Sequence, residues 1–284
     1  MAADFPRTQI ENVSLSRLII GSNWILGYSH TSKAKDDFIK THQSRERITE
    51  ILKVFLEAGV DTMMGVRAEA PQLLAAIQDA EQATGRKCIT ISTPTLDIEP
   101  GQQALGNTAR ILDNVQKIGA TFCLPHQATT DTLLNRRTRR IEGMDKYCAM
   151  IRQRGMIPGL STHMPEAPVY ADESGLDVGT YIQIYNAAGF LMQIEVDWVQ
   201  RTIWNRKHPV MTIKPLAAGR LMPLVGLAFS WSTLRPQDMV TVGVMTPDEA
   251  RECVDISLSI LHRSGPTVKL QRTRSKASVE DFVY

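Results

Sequence analysis

Short apolar runs alternate along the chain with longer stretches in which apolar residues recur every three or four positions. Runs of the first kind have the length of strands that are buried on both faces. Stretches of the second kind place one apolar stripe along a helix, as the set Ile48, Ile51, Leu52, Phe55 and Leu56 does. The alternation predicts strands and helices that follow one another along the whole sequence.

Eight apolar runs are predicted to be strands. They are residues 17–24, 60–65, 88–93, 121–126, 156–163, 190–198, 210–216 and 239–245. Eight strands that alternate with helices predict a parallel (β/α)8 TIM barrel, whose active site lies on the loops after the strands. The alternation by itself would also admit a doubly wound sheet. With 284 residues in all, one barrel domain over residues 1–284 is the expected organisation, because ~200 to 250 residues is usual for this fold.

Two segments are longer than the connections that are usual in such a fold. Residues 25–44 follow the first predicted strand, and an apparent insertion at residues 164–177 follows the fifth. Both are expected over the C-terminal face of the barrel. They are interpreted either as lids on the active site or as solvated loops without a role.

Charge and composition narrow the class of partner. The chain has 32 Lys and Arg against 30 Asp and Glu, a net charge of +2, which gives no electrostatic basis for binding nucleic acid or an anionic membrane. A small-molecule substrate is therefore the predicted partner, and the oligomeric state stays open. The four cysteines lack CxxC spacing, and the N-terminus lacks the apolar segment of a signal peptide, so a cytoplasmic protein is predicted.

Five segments at the predicted strand ends resemble the aldo-keto reductase superfamily, whose members are NADPH-dependent (β/α)8 enzymes that reduce aldehydes and ketones. The segments are VSLSRLIIGSNW, VDTMMG, FCLPH, MQIEVDW and IKPLAAGRL, and they keep the family's order over about residues 7–262. The resemblance implies an aldo-keto-reductase-like TIM barrel. It also implies that Asp61 and His126 occupy catalytic positions, that Trp24 lines the substrate pocket and that Gln193 lies on a strand that contacts substrate.

The proton-transfer pair of that family is not matched. The family uses a Tyr that a nearby Lys makes acidic. Here the tyrosine position falls at or next to Val66, and the lysine position falls at Thr93 or Pro94. None of these side chains can donate a proton to an alkoxide near neutral pH. Carbonyl reduction by the family's route is therefore not the function that the sequence favours.

The segment that would bind the adenosine phosphate of NADPH also departs from the family. It carries Asp248 and Glu249 where the family has a basic residue, and a phosphate dianion is repelled by carboxylates. Ile213 stands where the family has an aromatic residue that stacks on the nicotinamide. Arg251 and the start of the last helix remain as alternative anchors, so NADPH is the less favoured cofactor.

Titratable side chains remain at the predicted strand ends, and they carry the functional hypothesis. His126, His163 and Glu195 come from the adjacent predicted strands four, five and six and are predicted to hold a divalent metal, of which Zn, Mn, Fe and Ni suit such ligands. The metal would act as a Lewis acid, with Asp61 or Lys214 as the general base. The competing interpretation is that His126 is simply the family's histidine and that Glu195 is structural.

Lys214 follows an apolar run and precedes a proline, so its amine is expected to be partly buried. Burial lowers the pKa of a lysine and makes it a base or a Schiff-base nucleophile. The alternative is an ion pair with Glu195 or Asp197 on the neighbouring predicted strand. Arg67, which follows the second predicted strand, is predicted to bind substrate.

Three functions are consistent with these residues. The first is an enzyme that acts by non-redox acid/base chemistry, as a lyase, isomerase or hydrolase, on a small keto-sugar or hydroxy-carbonyl compound. Asp61, His126 and Lys214 would be its catalytic residues, with or without a divalent metal. The second is an atypical NADPH-dependent reductase, and the third is a barrel that binds a ligand without catalysis.

Overall fold

The computed structural model describes residues 5–264, and residues 1–4 and 265–284 of the predicted single domain lie outside the described residues. Its strands, in chain order, are β1 (Arg7–Ile10), β2 (Val13–Ser16), β3 (Leu18–Gly21), β4 (Thr62–Met64), β5 (Ile89–Ser92), β6 (Phe122–Cys123), β7 (Leu134–Asn135), β8 (Arg140–Ile141), β9 (Ile157–Thr162), β10 (Thr180–Ile184), β11 (Val210–Ile213) and β12 (Met239–Val242). Eight of them close a parallel barrel in the order β3-β4-β5-β6-β9-β10-β11-β12, and the other four form two antiparallel hairpins. The predicted TIM barrel is therefore confirmed.

Helices connect the barrel strands and cover the outside of the barrel. They are α1 (Asn23–Leu26), α2 (Lys33–His42), α3 (Arg45–Glu57), α4 (Pro71–Thr84), α5 (Gln102–Lys117), α6 (Gln127–Thr130), α7 (Met144–Arg152), α8 (Ala167–Ser174), α9 (Val196–Trp204), α10 (Pro223–Thr233) and α11 (Pro247–Leu261). Three of the longer ones begin after a hydroxyl residue whose side chain accepts a backbone N–H of the first turn: Ser32, Ser44 and Thr246. No helix among the described residues has the length and apolarity needed to cross a membrane.

The core has two apolar layers, which the alternation of side chains along each strand separates. In β3, Ile19 packs in an inner cluster inside the barrel together with Phe122 and Met211. Its neighbours Leu18 and Ile20 belong to the outer cluster between the strands and the helices. Because both faces of each strand are buried, the strands appear in the sequence as continuous apolar runs.

The sixth predicted strand is wrong. The barrel strand at that place is β10 (Thr180–Ile184), which pairs with β9 and β11, whereas residues 190–198 form a loop and the start of α9. The alternating apolar residues of this segment resemble a strand, but Val199 and Ile203 continue them at helical spacing and are buried against the barrel. This error affects every functional prediction that was based on residues 190–198.

The N-terminal hairpin closes the end of the barrel from which the strands start. In this hairpin β1 pairs with β2 in antiparallel register. Ile10 and Leu15 are fully buried in the inner cluster. The floor of the barrel is thus apolar and closed, and the opposite end, where the strands finish, is open to ligands.

The two long segments have different structures from the predicted loops. Residues 25–44 contain helix α2 (Lys33–His42), and Ser29 and His30 in front of this helix reach the open end of the barrel. Residues 164–177 contain helix α8 (Ala167–Ser174), which connects two barrel strands. The first segment contributes residues to the cavity described below, and none of residues 164–177 lines that cavity.

Candidate active site at the C-terminal end of the barrel

A cavity of about 1140 Å³ lies at the C-terminal end of the barrel. This is the end at which active sites are found in TIM-barrel enzymes. Its wall includes residues from the segments that follow β3, β4, β5, β6, β9, β11 and β12, and this set comprises Ser22, Val66, Thr93, His126, His163, Lys214 and Gly243. The loop after β3 adds Tyr28, Ser29 and His30 to the wall, so residues 25–44 do lie over this face, while residues 164–177 are not part of the wall.

Lys214 is the central basic group of the cavity. It follows β11 directly, and burial lowers its pKa to about 8. Its amine forms no hydrogen bond or ion pair with any of residues 5–264. The predicted alternative, an ion pair with Glu195 or Asp197, is wrong, because Asp197 is paired with Arg201 and neither acid lines the cavity.

The backbone at Lys214 is also unusual. Its φ is +63°, in the left-handed region that side chains other than glycine rarely adopt. Such a conformation costs on the order of 1–3 kcal/mol and persists where the surrounding structure imposes it, most often at functional sites. A strained, partly buried lysine without a partner among the described residues contributes little to stability, so its features are those of a reactive group.

His126 presents a hydrogen-bond donor to the cavity. It follows β6, and its Nδ1 accepts the backbone N–H of Ala128 at 3.3 Å. Burial, followed by the charges of Arg67 and Lys214, lowers the pKa of His126. The neutral imidazole that accepts at Nδ1 must carry its proton on Nε2. The Nε2–H is therefore the group that His126 offers to a ligand.

His163 is the most strongly perturbed histidine of the cavity. It follows β9, and its backbone N–H donates to Asp131 Oδ2 at 3.1 Å, while the neighbouring Thr162 hydroxyl donates to the other oxygen of that carboxylate. Burial, together with the charges of Lys214, His126 and His30, lowers the pKa of His163 to about 4. The ring is therefore neutral at physiological pH and lies within electrostatic reach of both other histidines.

We expect the pKa of His163 to rise when Lys214 is replaced with methionine, because the substitution removes a positive charge that opposes protonation of the ring. The pKa is measured by following the imidazole nitrogens in NMR spectra between pH 3 and 8, a range chosen around the unperturbed histidine value of ~6.5. Lys35→Met is the matched control, since Lys35 lies over the rings of Trp24 and Phe38. An equal shift in both variants would contradict the predicted coupling.

His30 was not identified from the sequence. It lies in the loop between α1 and α2 with a φ of +59°, and its Nδ1 lies 3.0 Å from the carbonyl oxygen of Tyr28. Because a carbonyl only accepts, Nδ1 carries the proton and Nε2 is a free acceptor in the neutral ring. Burial and Lys214 lower the pKa of His30, against the opposing effects of Tyr28 and Asp36.

The loop that bears His30 is fixed by a carboxylate. Asp36 Oδ1 accepts the backbone N–H of Ser29 at 2.7 Å and its hydroxyl at 2.6 Å. These bonds hold the loop against the first turn of α2 and so determine where His30 enters the cavity. The only sequence signal for His30 was its place in the long segment 25–44, which was predicted to lie over the catalytic face.

Asp61 is not at the catalytic face, so its predicted place as a catalytic acid or base is wrong. It precedes β4 (Thr62–Met64) and thus lies at the closed N-terminal end of the barrel. Its carboxylate pairs with Arg7 at 2.8 Å and accepts the backbone N–H of Ser16 at 3.2 Å, both in the N-terminal hairpin. Strand β4 starts after Asp61 instead of before it. The bonds of Asp61 to Arg7 and Ser16 connect the N-terminal hairpin to the barrel.

We expect Asp61→Ala to lower the free energy of unfolding by about 1 to 2 kcal/mol, the cost of one charged hydrogen-bonding partner that is mostly shielded from water. Urea unfolding measures this change. Ligand binding at the opposite end of the barrel should stay within about twofold of the wild type, since the substitution leaves the cavity wall unchanged. A selective loss of binding with unchanged stability would restore Asp61 as a functional residue.

The predicted metal triad is not assembled. His126 and His163 both line the cavity, but Glu195 is the exposed residue before α9 and lies outside it. No group of three or more His, Cys, Asp or Glu side chains within residues 5–264 is arranged to hold a metal ion. The Glu195 ligand was predicted from a strand that does not exist, and a divalent metal as cofactor stays a prediction.

Of the three residues that were predicted to bind substrate, two line the cavity. Trp24 and Arg67 are part of its wall, and the Trp24 ring lies so close to Gly243 that a Cβ there would come within 2.7 Å of it. Gln193 lies exposed in the loop between β10 and α9, outside the wall, so its predicted place on a substrate-facing strand is wrong. The roles of Trp24 and Arg67 stay predictions.

The cavity also extends to the first turn of α11, where a nicotinamide dinucleotide would place a phosphate in the family that the sequence resembles. Glu249 closes this turn: its backbone N–H donates to Thr246 Oγ1 at 3.2 Å, and its carboxylate accepts the backbone N–H of Met245 at 2.6 Å. This reciprocal pair resembles a capping box. Glu252 adds a second acid to the wall, and Arg251 is paired with Asp248. The residues at this turn do not fit the adenosine phosphate of NADPH.

Comparisons with known proteins agree with the barrel. No protein-family model matches the sequence, and no curated protein matches it at a significant level. A Pseudomonas aeruginosa structure assigned as an aldo-keto reductase is 14% identical, with a TM-score of 0.66, and the match covers 92% of this chain and 98% of that one. An aldo-keto reductase from Klebsiella pneumoniae, solved with NADP and acetate, is 16% identical, with a TM-score of 0.54 and coverage of 94% and 100%.

Enzymes of a different class share the fold as well. A phospho-2-dehydro-3-deoxyheptonate aldolase from Thermotoga maritima is 10% identical, with a TM-score of 0.53, and the match covers 94% of this chain and 76% of that one. At such low identities the similarities establish the barrel architecture and nothing about the reaction, because one fold carries many chemistries. The function has to be inferred from the residues in the cavity.

Proposed function

We propose that this protein is an enzyme that performs non-redox acid/base chemistry on a small keto-sugar or hydroxy-carbonyl compound, as a lyase or an isomerase. The observation that supports the proposal is Lys214, a strained, partly buried and unpaired lysine at the end of a barrel strand, whose pKa burial lowers to about 8. At pH 7 a lysine with this pKa is neutral in roughly a tenth of the molecules, a much larger fraction than at the usual lysine pKa of ~10.4, and the neutral amine is a nucleophile towards carbonyl carbon.

Lys214 would react with the carbonyl group of the substrate. Its amine forms a C–N bond to the carbonyl carbon, and the carbonyl oxygen takes up two protons in turn and leaves as water, which gives a protonated imine. The positive nitrogen then accepts the electron pair of a neighbouring C–H or C–C bond. Loss of a proton leads to isomerisation, and cleavage of the carbon bond leads to a lyase reaction; in both cases water returns the free lysine at the end.

The histidines provide the proton transfers that this sequence of steps needs. His126 Nε2–H is a donor for the carbonyl oxygen, by the tautomer that its bond to Ala128 selects. His30 Nε2 is an acceptor for a substrate proton, by the tautomer that the Tyr28 carbonyl selects. A neutral imidazole donates through one nitrogen and accepts through the other, so the two rings can take complementary parts in moving protons near neutral pH.

Trapping of the imine tests the proposal. Purified protein is incubated with short hydroxy-ketones and keto-sugars, treated with sodium borohydride, digested and analysed by mass spectrometry. We expect a mass increase equal to the reduced adduct on the peptide that contains Lys214, and none in Lys214→Met. Adducts that are spread over surface lysines to the same extent, without enrichment at Lys214, would contradict the assignment.

A second candidate is an atypical NADPH-dependent reductase. The observation in its favour is the size of the cavity, about 1140 Å³, because pockets for small ligands are usually ~300–1,000 Å³. Titration with NADPH, followed by the fluorescence of the nicotinamide, tests this candidate. Saturable binding that is lost when Trp24 is replaced with alanine would favour the reductase; an unchanged spectrum would favour the lysine chemistry.

A further inference from the structure

Arg67 lies in the cavity wall, and among residues 5–264 no acceptor is hydrogen-bonded to its guanidinium. It comes from the loop after β4, two residues beyond Gly65, and its side chain is partly buried. Within residues 5–264, it makes no hydrogen bond or ion pair through its side chain. A guanidinium has five N–H donors in a fixed planar array, and those of Arg67 are not used by any described residue, so they can pair with an acceptor on a ligand.

The position of Arg67 is fixed by its surroundings. Its guanidinium carbon lies 5.3 Å from the centroid of the Tyr28 ring, a cation–π arrangement that orients the planar group. The charge of Arg67 contributes to lowering the pKa of His126, so the guanidinium lies near the ring that offers Nε2–H to the cavity. The Arg67 guanidinium therefore lies near both Tyr28, in the loop after β3, and His126.

The carboxylates in the same wall do not neutralise Arg67. Asp36 accepts two bonds from Ser29, and Glu249 caps α11. Glu69 and Glu252 also line the cavity, but among the described residues neither forms an ion pair with Arg67.

We propose that Arg67 is a specificity residue that binds a carboxylate or phosphate group of the substrate, with Tyr28 holding the guanidinium in place. The proposal rests on the function proposed above and adds that the hydroxy-carbonyl substrate is an anion. A planar guanidinium pairs with a carboxylate or a phosphate through two parallel N–H···O bonds. Arg67 would anchor the anionic end of such a substrate, and the nearby His126 would meet its carbonyl.

Binding of small probes tests this inference without knowledge of the substrate. Isothermal calorimetry is performed with glycolate, with its neutral amide glycolamide and with inorganic phosphate, at one ionic strength. We expect glycolate to bind at least ~10-fold more tightly than glycolamide, since a hydrogen bond to a charged partner accounts for about that ratio. The stronger of glycolate and phosphate then identifies the anion that the site prefers.

Comparison of Arg67→Gln with Arg220→Gln distinguishes specific binding of the anion by Arg67 from a general attraction of anions by the positive charges of the cavity. Arg220 lines the same cavity, but its guanidinium already donates to the carbonyl of Ala217 at 3.1 Å and lies over the Phe190 ring. We expect Arg67→Gln to weaken anion binding at least ~10-fold and Arg220→Gln to change it less than ~3-fold. Thermal melting of each variant shows whether it is folded.

Three results would overturn the inference: equal binding of glycolate and glycolamide, equal effects of the two arginine variants, or no binding of either anion at millimolar concentration. Lys214→Met distinguishes this inference from the proposed function. That variant should lose the imine adduct and still bind glycolate. If the anion binds through Arg67 but no adduct forms at Lys214, the anion site stands and the lysine chemistry fails.

Discussion

Replacing Lys214 with methionine is expected to abolish turnover, by roughly 10³-fold or more once a substrate is known, because the covalent step depends on its amine. Methionine keeps much of the length and the apolar stem of the side chain but cannot form a C–N bond to a carbonyl. Lys214→Arg should be equally inactive, since an arginine at this position keeps a positive charge and is a poor nucleophile. Steady-state kinetics at saturating substrate measure the loss.

The burial of the Lys214 amine also predicts how the reaction rate and the stability depend on pH. Its pKa is lowered to about 8, so the fraction of neutral amine, and with it the rate of imine formation, should rise with pH through that value. Burial of the charged form also disfavours folding, because the unfolded chain binds more protons between about pH 8 and the normal lysine pKa. The contribution of Lys214 to stability should therefore rise with pH across this window, and it is measured as the difference between the wild type and Lys214→Met.

Lys214→Met removes the contribution of Lys214 to the pH dependence of stability, and the stability of this variant is the control for its loss of turnover. We expect the variant to melt at or above the temperature of the wild type at neutral pH, so that loss of turnover is not explained by unfolding. Lys35→Met, which changes a lysine that lies over aromatic rings at the cavity edge, should keep the wild-type profile of pH against rate. Retained activity in Lys214→Met, or a midpoint at the normal lysine pKa, would rule out Lys214 as the reacting amine.

Replacing Asp238 with alanine is expected to have the largest effect on stability, a loss of about 3–5 kcal/mol in the free energy of unfolding. Asp238 is fully buried. Its carboxylate accepts two bonds from the Arg235 side chain, at 2.7 and 2.9 Å. It also accepts the backbone N–H of Val210 at 2.9 Å. Alanine would leave a buried guanidinium and a buried N–H without their acceptor.

Urea unfolding of Asp238→Ala measures that loss as a lower midpoint at an unchanged slope. Asp197→Ala is the control, since Asp197 forms an ion pair with Arg201 on the surface, where the net contribution of a pair is small and screened by solvent. Equal midpoints for the two variants would mean that Arg235 is held by its bonds to the carbonyls of Arg206 and His208 alone.

The order of secondary structure was predictable because it depends on local periodicity. Seven of the eight predicted barrel strands are present at their predicted places, since each is a short apolar run between helical stripes. His126 was also identified correctly as a residue of the catalytic face, because it stands at the end of such a run. The strand predicted at residues 190–198 is wrong because the alternating apolar residues of this segment belong to a loop and to the start of a helix. Over so few residues, the spacing of apolar positions does not distinguish a strand from a helix.

The composition of the site was less predictable, because it depends on which end of a strand a residue occupies and on contacts between distant segments. Asp61 lies one residue before its strand, so it stands at the closed end of the barrel and pairs with Arg7. Glu195 and Gln193 were misplaced together with their strand. His30 enters the cavity through a loop that Asp36 fixes, which no local pattern indicates.

The sequence by itself therefore determined the alternation of strands and helices and the place of the polar residues that follow the strands. These follow from the spacing of apolar residues and from which residue types stand at the strand ends. Only the tertiary structure decided that Lys214 is strained, that His30 joins His126 and His163, and that the side chains of Lys214 and Arg67 form no hydrogen bond or ion pair with the described residues. These depend on burial, strand register and backbone conformation, which arise when segments far apart in the chain pack together.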